Sequence, residues 1–486
     1  MAPSPLAGQI SLGGTGCWSR YRALPWPPLD LSVTNLCSAR SNARHERHLA
    51  ALRAGAGGTP FDPKGPSSAG RSEWRSAILR APAESAKSPD GNTMRRMKMT
   101  LAFTAAVVLA AIGLSAQTSS KILAIDHKVT VKSTVPAIAG QPAQIYVRER
   151  VAEGMKNPAP DRVVLFVHGA GTPAEVAFDV PTGDYSWMAH LAKAGFDVFS
   201  MDTTGYGRSA RPAPMDDPCN LSEEQQKQFV PKLIPAPCKA TYPGNLTTIA
   251  SDWNDIDAVV EHIRKLRNVQ KVSMVAWSLG GPRAGGYAAQ HPDKVNRLVL
   301  LAPAYGRDSA SEPPALPRPG TVFNTQSRSE FDANWDRQVG CENQVDPKVR
   351  EVVWAELLAS DPTGAKWGSG VRRAPTTTTW GFNKAMVGGM KTPTLMIAGA
   401  HDKQVPPDRV RAMYDDIGSS EKVMIDLGCS SHNAMWESNH MIMFNASLEW
   451  LKDGKVGGTG NGVLKLGYPP LDKTRGGPEL VEGPKS

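Results

Sequence analysis

The chain predicts an α/β fold: a mainly parallel β-sheet with helices on both faces and an inserted cap. Three observations carry this expectation. From about residue 125, short apolar runs alternate with stretches of helical period. The strongest runs are continuous rather than alternating, as strands buried on both faces require. Several of them end in glycine or a polar residue, and the carboxyl edge of a parallel sheet is where ligands collect.

The elements follow in order. VTVKSTVP and AQIYVRERV read as an opening strand pair, and DRVVLFVHGAG (161–171) as a buried parallel strand ending in glycines. A helical stretch near 184–194 leads to the strand FDVFSMD (196–202), and DWNDIDAVVEHIRKLRN (252–268) carries apolar residues at helical spacing. KVSMVAW (271–277) is the next strand and GGPRAGGYAAQH the next helix. VNRLVLLAPAY, TPTLMIAGAHD and KVMIDLG then read as strands, PPDRVRAMYDDI as a helix, and 440–452 as the last helix. Repeated strand–helix–strand units imply right-handed crossovers and a sheet covered on both faces.

Two segments interrupt the alternation. Residues 209–247 are proline-rich with two cysteines, and residues 306–391 form a long insertion. A stretch that long without structure is unusual, so a partly helical cap is expected. Its aromatics, Phe323, Phe331, Trp335, Trp354, Trp367, Trp380 and Phe382, either form the cap's own core or line a substrate pocket.

The amino-terminal part reads differently. Residues 1–93 are rich in Pro, Gly, Ser, Ala and Arg without apolar period, and are expected to be a disordered or mis-annotated leader. Residues 94–116 combine MRRMKM, the uncharged run LAFTAAVVLAAIGL (101–114) and a small residue at Ala116, the pattern of a signal peptide. Fourteen apolar residues are few for a bilayer of about 30 Å, so no stable membrane anchor is expected. Residues 117–486 are then the folded domain, secreted or periplasmic. The 14 Lys and Arg against 6 Asp and Glu in residues 1–98 account for +8 of the formal +9. The folded domain therefore offers no electrostatic case for nucleic acid. Zinc-ligand spacing, a P-loop, a dinucleotide fingerprint and internal repeats are all missing from the sequence.

Chemistry concentrates at the strand ends. MVAWSLGG (274–281) places Ala276, Trp277, Ser278, Leu279 and Gly280 in small–x–Ser–x–Gly spacing at a strand-to-helix junction. A serine there either caps the helix or is a nucleophile on a turn so tight that residues two before and two after it must be small. A serine nucleophile needs a base within hydrogen-bond reach. His432 follows KVMIDLG at the same sheet edge, and His440 on the last helix is the second candidate. The base needs an orienting carboxylate. Asp402 ends TLMIAGAHD, where it can equally serve a turn or cap, and Asp308 after the preceding strand is its rival. His401 and Asp402 adjoin without further ligands nearby, so no metal site is expected.

HGAG after the first long strand, DTTGYGRS after the second, AWSLG, GAHDKQVPP and GCSSHNAMWE occur in this order. Taken together they resemble the α/β-hydrolase superfamily over most of residues 125–452. The resemblance implies Ser278 as nucleophile, Asp402 as acid and His432 as base, in the chain order expected of that fold. It also implies an oxyanion hole from the backbone N–H groups of Ala170 and Leu279. Gly169 and Gly171 would allow close backbone approach, with His168 supporting the loop. In DTTGYGRS, Gly205 and Gly207 read as turn-formers, and Arg208 and Ser209 as structural hydrogen bonders. A serine at the elbow argues against dehalogenases and epoxide hydrolases, whose nucleophile is aspartate. The implied activity is a serine hydrolase cleaving a small-molecule carboxylic ester through an acyl-enzyme, without cofactor. The same fold acting on an amide, thioester or C–C bond, or a non-catalytic secreted binding protein, are the alternatives. Oligomeric state has no signature in the sequence.

Cys219, Cys238, Cys341 and Cys429 are the cysteines downstream of residue 116, an even count in a chain read as exported. Four cysteines allow three pairings. Cys219 with Cys238 closes the proline-rich segment and leaves Cys341 for Cys429; four buried thiols are the alternative.

Overall fold

A computed structural model describes residues 121–311, 321–368, 370–374, 376–377, 381–468 and 479–483. The leader of residues 1–93, the segment 94–116 with its cleavage site, and Trp380 lie outside the described residues.

Ten strands form the central sheet: β1 Ile122–Lys132, β2 Pro142–Ala152, β3 Val163–Val167, β4 Asp197–Met201, β5 Val272–Trp277, β6 Val295–Leu301, β7 Thr394–Gly399, β8 Lys422–Leu427, β9 Asn461–Leu466 and β10 Glu479–Glu482. Their order across the sheet is β1-β2-β4-β3-β5-β6-β7-β8-β9-β10. Neighbours from β4 through β9 run parallel, while β1–β2, β2–β4 and β9–β10 are antiparallel. Every residue of β3, β4, β5 and β7 is buried whichever face it points to, so both faces of the sheet are covered.

The longer helices are α1 Trp187–Lys193, α2 Ile249–Arg267, α3 Arg328–Asp336, α4 Pro347–Ser360, α5 Pro407–Asp416 and α6 His440–Asp453, of which α1, α2, α5 and α6 pack on the sheet. Ser186 caps α1 by accepting the Ala189 N–H, and Thr248 with Ser251 forms a reciprocal capping box on α2. The α1 and α6 helices join through Trp187, whose ring stacks on Phe444 at 5.1 Å and whose Nε1 donates to Ser447 Oγ at 2.8 Å.

Two elements depart from the sequence expectation. The stretch after β5 is not one regular helix: it opens as a π-turn over Gly281–Gly285 and becomes α-helical only over Gly286–Gln290. Its glycines lie against Pro303, Phe382 and Trp253, with no room for a Cβ. The chain also adds β9 and β10 after α6. β9, NGVLKL, carries neither a long apolar run nor a clean alternation and is preceded by a glycine-rich turn, so the sequence does not mark it as a strand.

Between β6 and β7 the insertion holds α3, α4 and the short antiparallel pair Asn324–Gln326 with Val371–Arg373. Its aromatics divide. Phe331, Trp335 and Phe382 join the main core, with Trp354 packed against it. Phe323 belongs to a second cluster with Tyr206 and Phe229, and Trp367 packs on that one. No helix among the described residues is long and apolar enough to cross a membrane.

Strand register sets up the site. Val167 pairs with Ala276, Trp277 and Ile397 with Leu301, and Gly399 with Leu427. The carboxyl ends of β3, β5, β6, β7 and β8 are thus level. The turn 168–171, Ser278, Asp402 and His432 therefore emerge along one sheet edge.

Candidate active site

Ser278 has φ 57°, a left-handed conformation uncommon for a residue with a side chain. The backbone is held there from both sides. Its N–H donates to Leu301 O at 2.9 Å, and its carbonyl accepts the N–H groups of Gly281 and Ala304, each at 2.9 Å. The turn is as crowded as the motif demands. A Cβ on Gly280 would lie 2.5 Å from Val167 O and 3.1 Å from the Ala276 Cβ, so the two small positions face each other across the elbow.

His432 and Asp402 come together. Nδ1 of His432 lies 2.7 Å from Asp402 Oδ2, and both residues are buried. Oδ1 of the same carboxylate accepts the N–H groups of Gln404 at 2.7 Å and Val405 at 2.8 Å. The turn role and the orienting role therefore coexist, one oxygen for each. An acceptor on Nδ1 puts the ring proton there and leaves Nε2 free to accept. Trp277 ties His432 to the elbow: its Nε1 donates to His432 O at 2.8 Å and its ring lies 5.4 Å from the imidazole.

The rivals sit elsewhere. Asp308 is exposed in the turn after β6. His440 places Nδ1 2.7 Å from Glu437 O and Nε2 3.0 Å from Asp184 Oδ1, with its ring stacked on Tyr185 at 4.0 Å. The His401 ring packs over Gly340. No cluster of potential metal ligands occurs among the described residues.

The HGAG turn packs directly on the elbow. A Cβ on Gly169 would stand 2.9 Å from the Ser278 Cβ. Nε2 of His168 accepts the Thr203 N–H at 3.1 Å, so Nδ1 carries the proton and donates to Gly169 O at 2.7 Å. Burial, with the Arg283 charge alongside, pushes the His168 pKa well below its ordinary value and keeps the ring neutral. Among the described residues no acceptor takes the N–H of Ala170 or Leu279.

A trans peptide holds its C=O and N–H on opposite sides, so an anchored carbonyl aims the amide that follows it. Gly169 O is anchored by His168 Nδ1 and by Arg283 Nη1 at 2.9 Å, which sets the direction of the Ala170 N–H. Ser278 O is anchored by Gly281 and Ala304, which sets that of Leu279.

Two residues of this apparatus escape the sequence reading. Arg283 is fully buried, donates through Nε to Asp252 Oδ2 at 2.7 Å, and reaches His168 O at 3.0 Å. Glu437 is equally buried. It accepts the Ser431 N–H at 2.7 Å, the Ser431 hydroxyl at 2.5 Å and Trp335 Nε1 at 2.9 Å, and burial raises its pKa. It thereby joins the insertion to the loop carrying His432. The disulfide pairs are Cys219–Cys238 and Cys341–Cys429, and the second makes the same connection three residues before His432.

Asp255 on α2 anchors the DTTGYGRS loop, accepting the Thr204 N–H at 2.9 Å. Burial raises its pKa to about 7. An unfolded aspartate titrates near 3.9, so below about pH 4 both states hold the proton. As pH rises to about 7 the unfolded chain ionises first, and native stability falls by an amount on the order of a few kcal/mol. Asp255→Asn keeps an acceptor for Thr204 and removes this term. Its melting temperature is expected to gain on the wild type between pH 5 and pH 8, whereas a pH-independent difference would remove Asp255 as the cause.

Residues 158–439 match the family described as serine aminopeptidase, S33. Over 109 residues the chain is 28% identical to a probable 1-acylglycerol-3-phosphate O-acyltransferase of Oryza sativa subsp. japonica, a match spanning 22% of this chain and only 19% of that protein. Among solved structures, a serine hydrolase involved in carbazole degradation is 18% identical, with a TM-score of 0.42, covering 68% of this chain and 99% of its own. A thermophilic esterase from Thermogutta terrifontis is 17% identical, with a TM-score of 0.41 and coverage of 67% and 98%. A monoacylglycerol lipase of Paleococcus ferrophilus is 18% identical, with a TM-score of 0.39 and coverage of 64% and 99%. The family match takes in more than half of the chain, from β3 through the loop carrying His432, and the chain belongs to the serine aminopeptidase, S33, family of α/β-hydrolases.

Proposed function

We propose that the protein hydrolyses carboxylic esters of small molecules through an acyl-enzyme on Ser278. The observation that carries this reading is the pair of N–H groups, Ala170 and Leu279, aimed by anchored carbonyls beside the elbow. Preorganised donors are what a developing oxyanion requires. His432 Nε2 takes the Ser278 proton as Oγ bonds to the carbonyl carbon. The imidazolium is stabilised by Asp402 Oδ2 on Nδ1, and the carbonyl oxygen becomes an oxyanion held by the two amides. The intermediate collapses as His432 returns the proton to the leaving alkoxide. Water then repeats the sequence, releasing the acid and the free serine. No cofactor enters any step.

The family's description as an aminopeptidase favours one second reading, amide cleavage on the same residues. A panel of p-nitrophenyl esters of increasing acyl length, run against aminoacyl p-nitroanilides, tests both. Ester turnover with fluorophosphonate labelling at Ser278 is the expected result. Turnover of anilides alone moves the reading to amides, and neither turnover nor labelling leaves a binding protein.

Export completes the proposal. It is supported by the basic, apolar and small-residue order of residues 94–116 and by the two disulfides. Exported protein is expected to begin near Gln117 on amino-terminal sequencing, and to yield both bridges on non-reducing peptide mapping. Residues 1–93 still attached, or four alkylatable thiols in the unfolded, unreduced chain, would overturn it.

A further inference from the structure

The strand Val371–Arg373 of the insertion pairs antiparallel with Asn324–Gln326, and alternation sends consecutive side chains to opposite sides. Its two arginines have opposite circumstances. Arg372 is saturated: Nη2 and Nε reach the two oxygens of Asp361 at 2.9 and 3.1 Å. Its Nη1 reaches Asp216 Oδ1 at 2.6 Å and Met215 O at 2.8 Å. Arg373 makes no side-chain hydrogen bond or ion pair with any described residue.

Its guanidinium nevertheless lies against the HGAG turn. A Cβ on Gly171 would stand 3.2 Å from Arg373 Nη1, while one on Gly169 would stand 2.9 Å from the Ser278 Cβ. The nucleophile and this cation thus flank one turn, whose two residue steps span at most roughly 7 Å. The groups that act on Arg373 each hold another partner. The Tyr206 hydroxyl lies on the carbonyls of Ala170 and Ala374 at 2.8 and 2.7 Å, and Oε2 of Glu330 accepts from Ser327 N and Oγ at 2.8 and 2.9 Å. Arg373 is largely enclosed but keeps a minor part of its surface open. Burial draws its pKa below the ordinary guanidinium value, and the attraction of Tyr206 and of the Glu330 carboxylate offsets only part of that desolvation cost.

We infer that Arg373 determines specificity by pairing with a carboxylate on the substrate, a few bonds from the scissile carbonyl. The inference rests on the hydrolase reading above and narrows its substrate class to anionic esters. A positive charge whose donors no described residue engages matches a monoanion, and the planar fork of guanidinium donors matches the two oxygens of a carboxylate. A phosphate dianion would leave excess negative charge in an enclosed site. The same cation opposes the free α-ammonium of an aminopeptidase substrate.

The test compares matched esters. Mono-p-nitrophenyl glutarate against p-nitrophenyl valerate places the charge on the acyl side; 4-acetoxybenzoate against its methyl ester places it on the leaving group. The wild type is expected to prefer the anionic ester in one arm. Arg373→Gln is expected to lower that preference in kcat/KM by about 10- to 100-fold, chiefly through KM, the scale of a charge-assisted hydrogen bond. Arg373→Lys should recover part of it. Wild-type turnover without anionic preference in either arm, or a preference unchanged in Arg373→Gln, overturns the inference. Butyrate and inorganic phosphate are titrated separately, by thermal shift, into the wild type and Arg373→Gln. A butyrate response that depends on Arg373 supports the inference even if no ester is cleaved, in which case only the hydrolase reading fails. Equal responses overturn it, and a phosphate response stronger than that of butyrate replaces carboxylate with phosphate.

Discussion

Ser278→Ala is expected to lower ester turnover by about a millionfold, the scale seen when catalytic residues act as a unit, while the folded chain melts as the wild type does. The loss is large because no other group on the elbow can carry the acyl intermediate. The fold is spared because nothing that holds the turn uses Oγ. Residue 278 is fixed by its own N–H on Leu301 O and by its carbonyl under Gly281 and Ala304. Alanine meets the same left-handed backbone at φ 57° with a side chain no larger than serine. Stopped-flow release of p-nitrophenol from both proteins, beside thermal melts, measures the two halves. Residual turnover above about a thousandth of wild type, or fluorophosphonate on a different serine, would move the nucleophile.

How far such an elbow could be read in advance depends on what burial does to sequence. VVLFV of β3 and VSMVAW of β5 are legible because a strand buried on both faces admits little but apolar residues. The order of polar residues at their ends then follows from chain order alone. Asp402 is ambiguous because a turn aspartate and one that orients a histidine look alike in sequence, and here one oxygen holds the turn while the other meets His432 Nδ1. Arg283 is illegible for a tertiary reason. GGPRAGG shows an arginine on a helix, but only the close approach of Trp253 to Gly286 and of Phe382 to Gly285 draws that helix inward and buries the charge. Glu437 and Arg373 likewise take their meaning from segments far away in sequence, Trp335 and Gly171.

Asp402→Asn and His432→Ala are each expected to cost about four orders of magnitude or more in kcat, whereas Asp308→Asn and His440→Ala should stay within about tenfold of the wild type. The asparagine variant separates orientation from charge. Its carbonyl can still accept the N–H groups of Gln404 and Val405, which hold the loop after β7. Its amide then turns two donors toward His432 Nδ1. That nitrogen must become the acceptor, the ring proton moves to Nε2, and the base presents a donor where it must take a proton from Ser278. Asp308 cannot enter this exchange from its exposed turn. His440 is already engaged with Glu437 O and Asp184. Single-turnover rates across a pH series, normalised to folded protein, distinguish the cases. Near-normal rates in Asp402→Asn with collapse in Asp308→Asn would shift the acid to the end of β6. Collapse in His440→Ala, with His432→Ala active, would shift the base to α6.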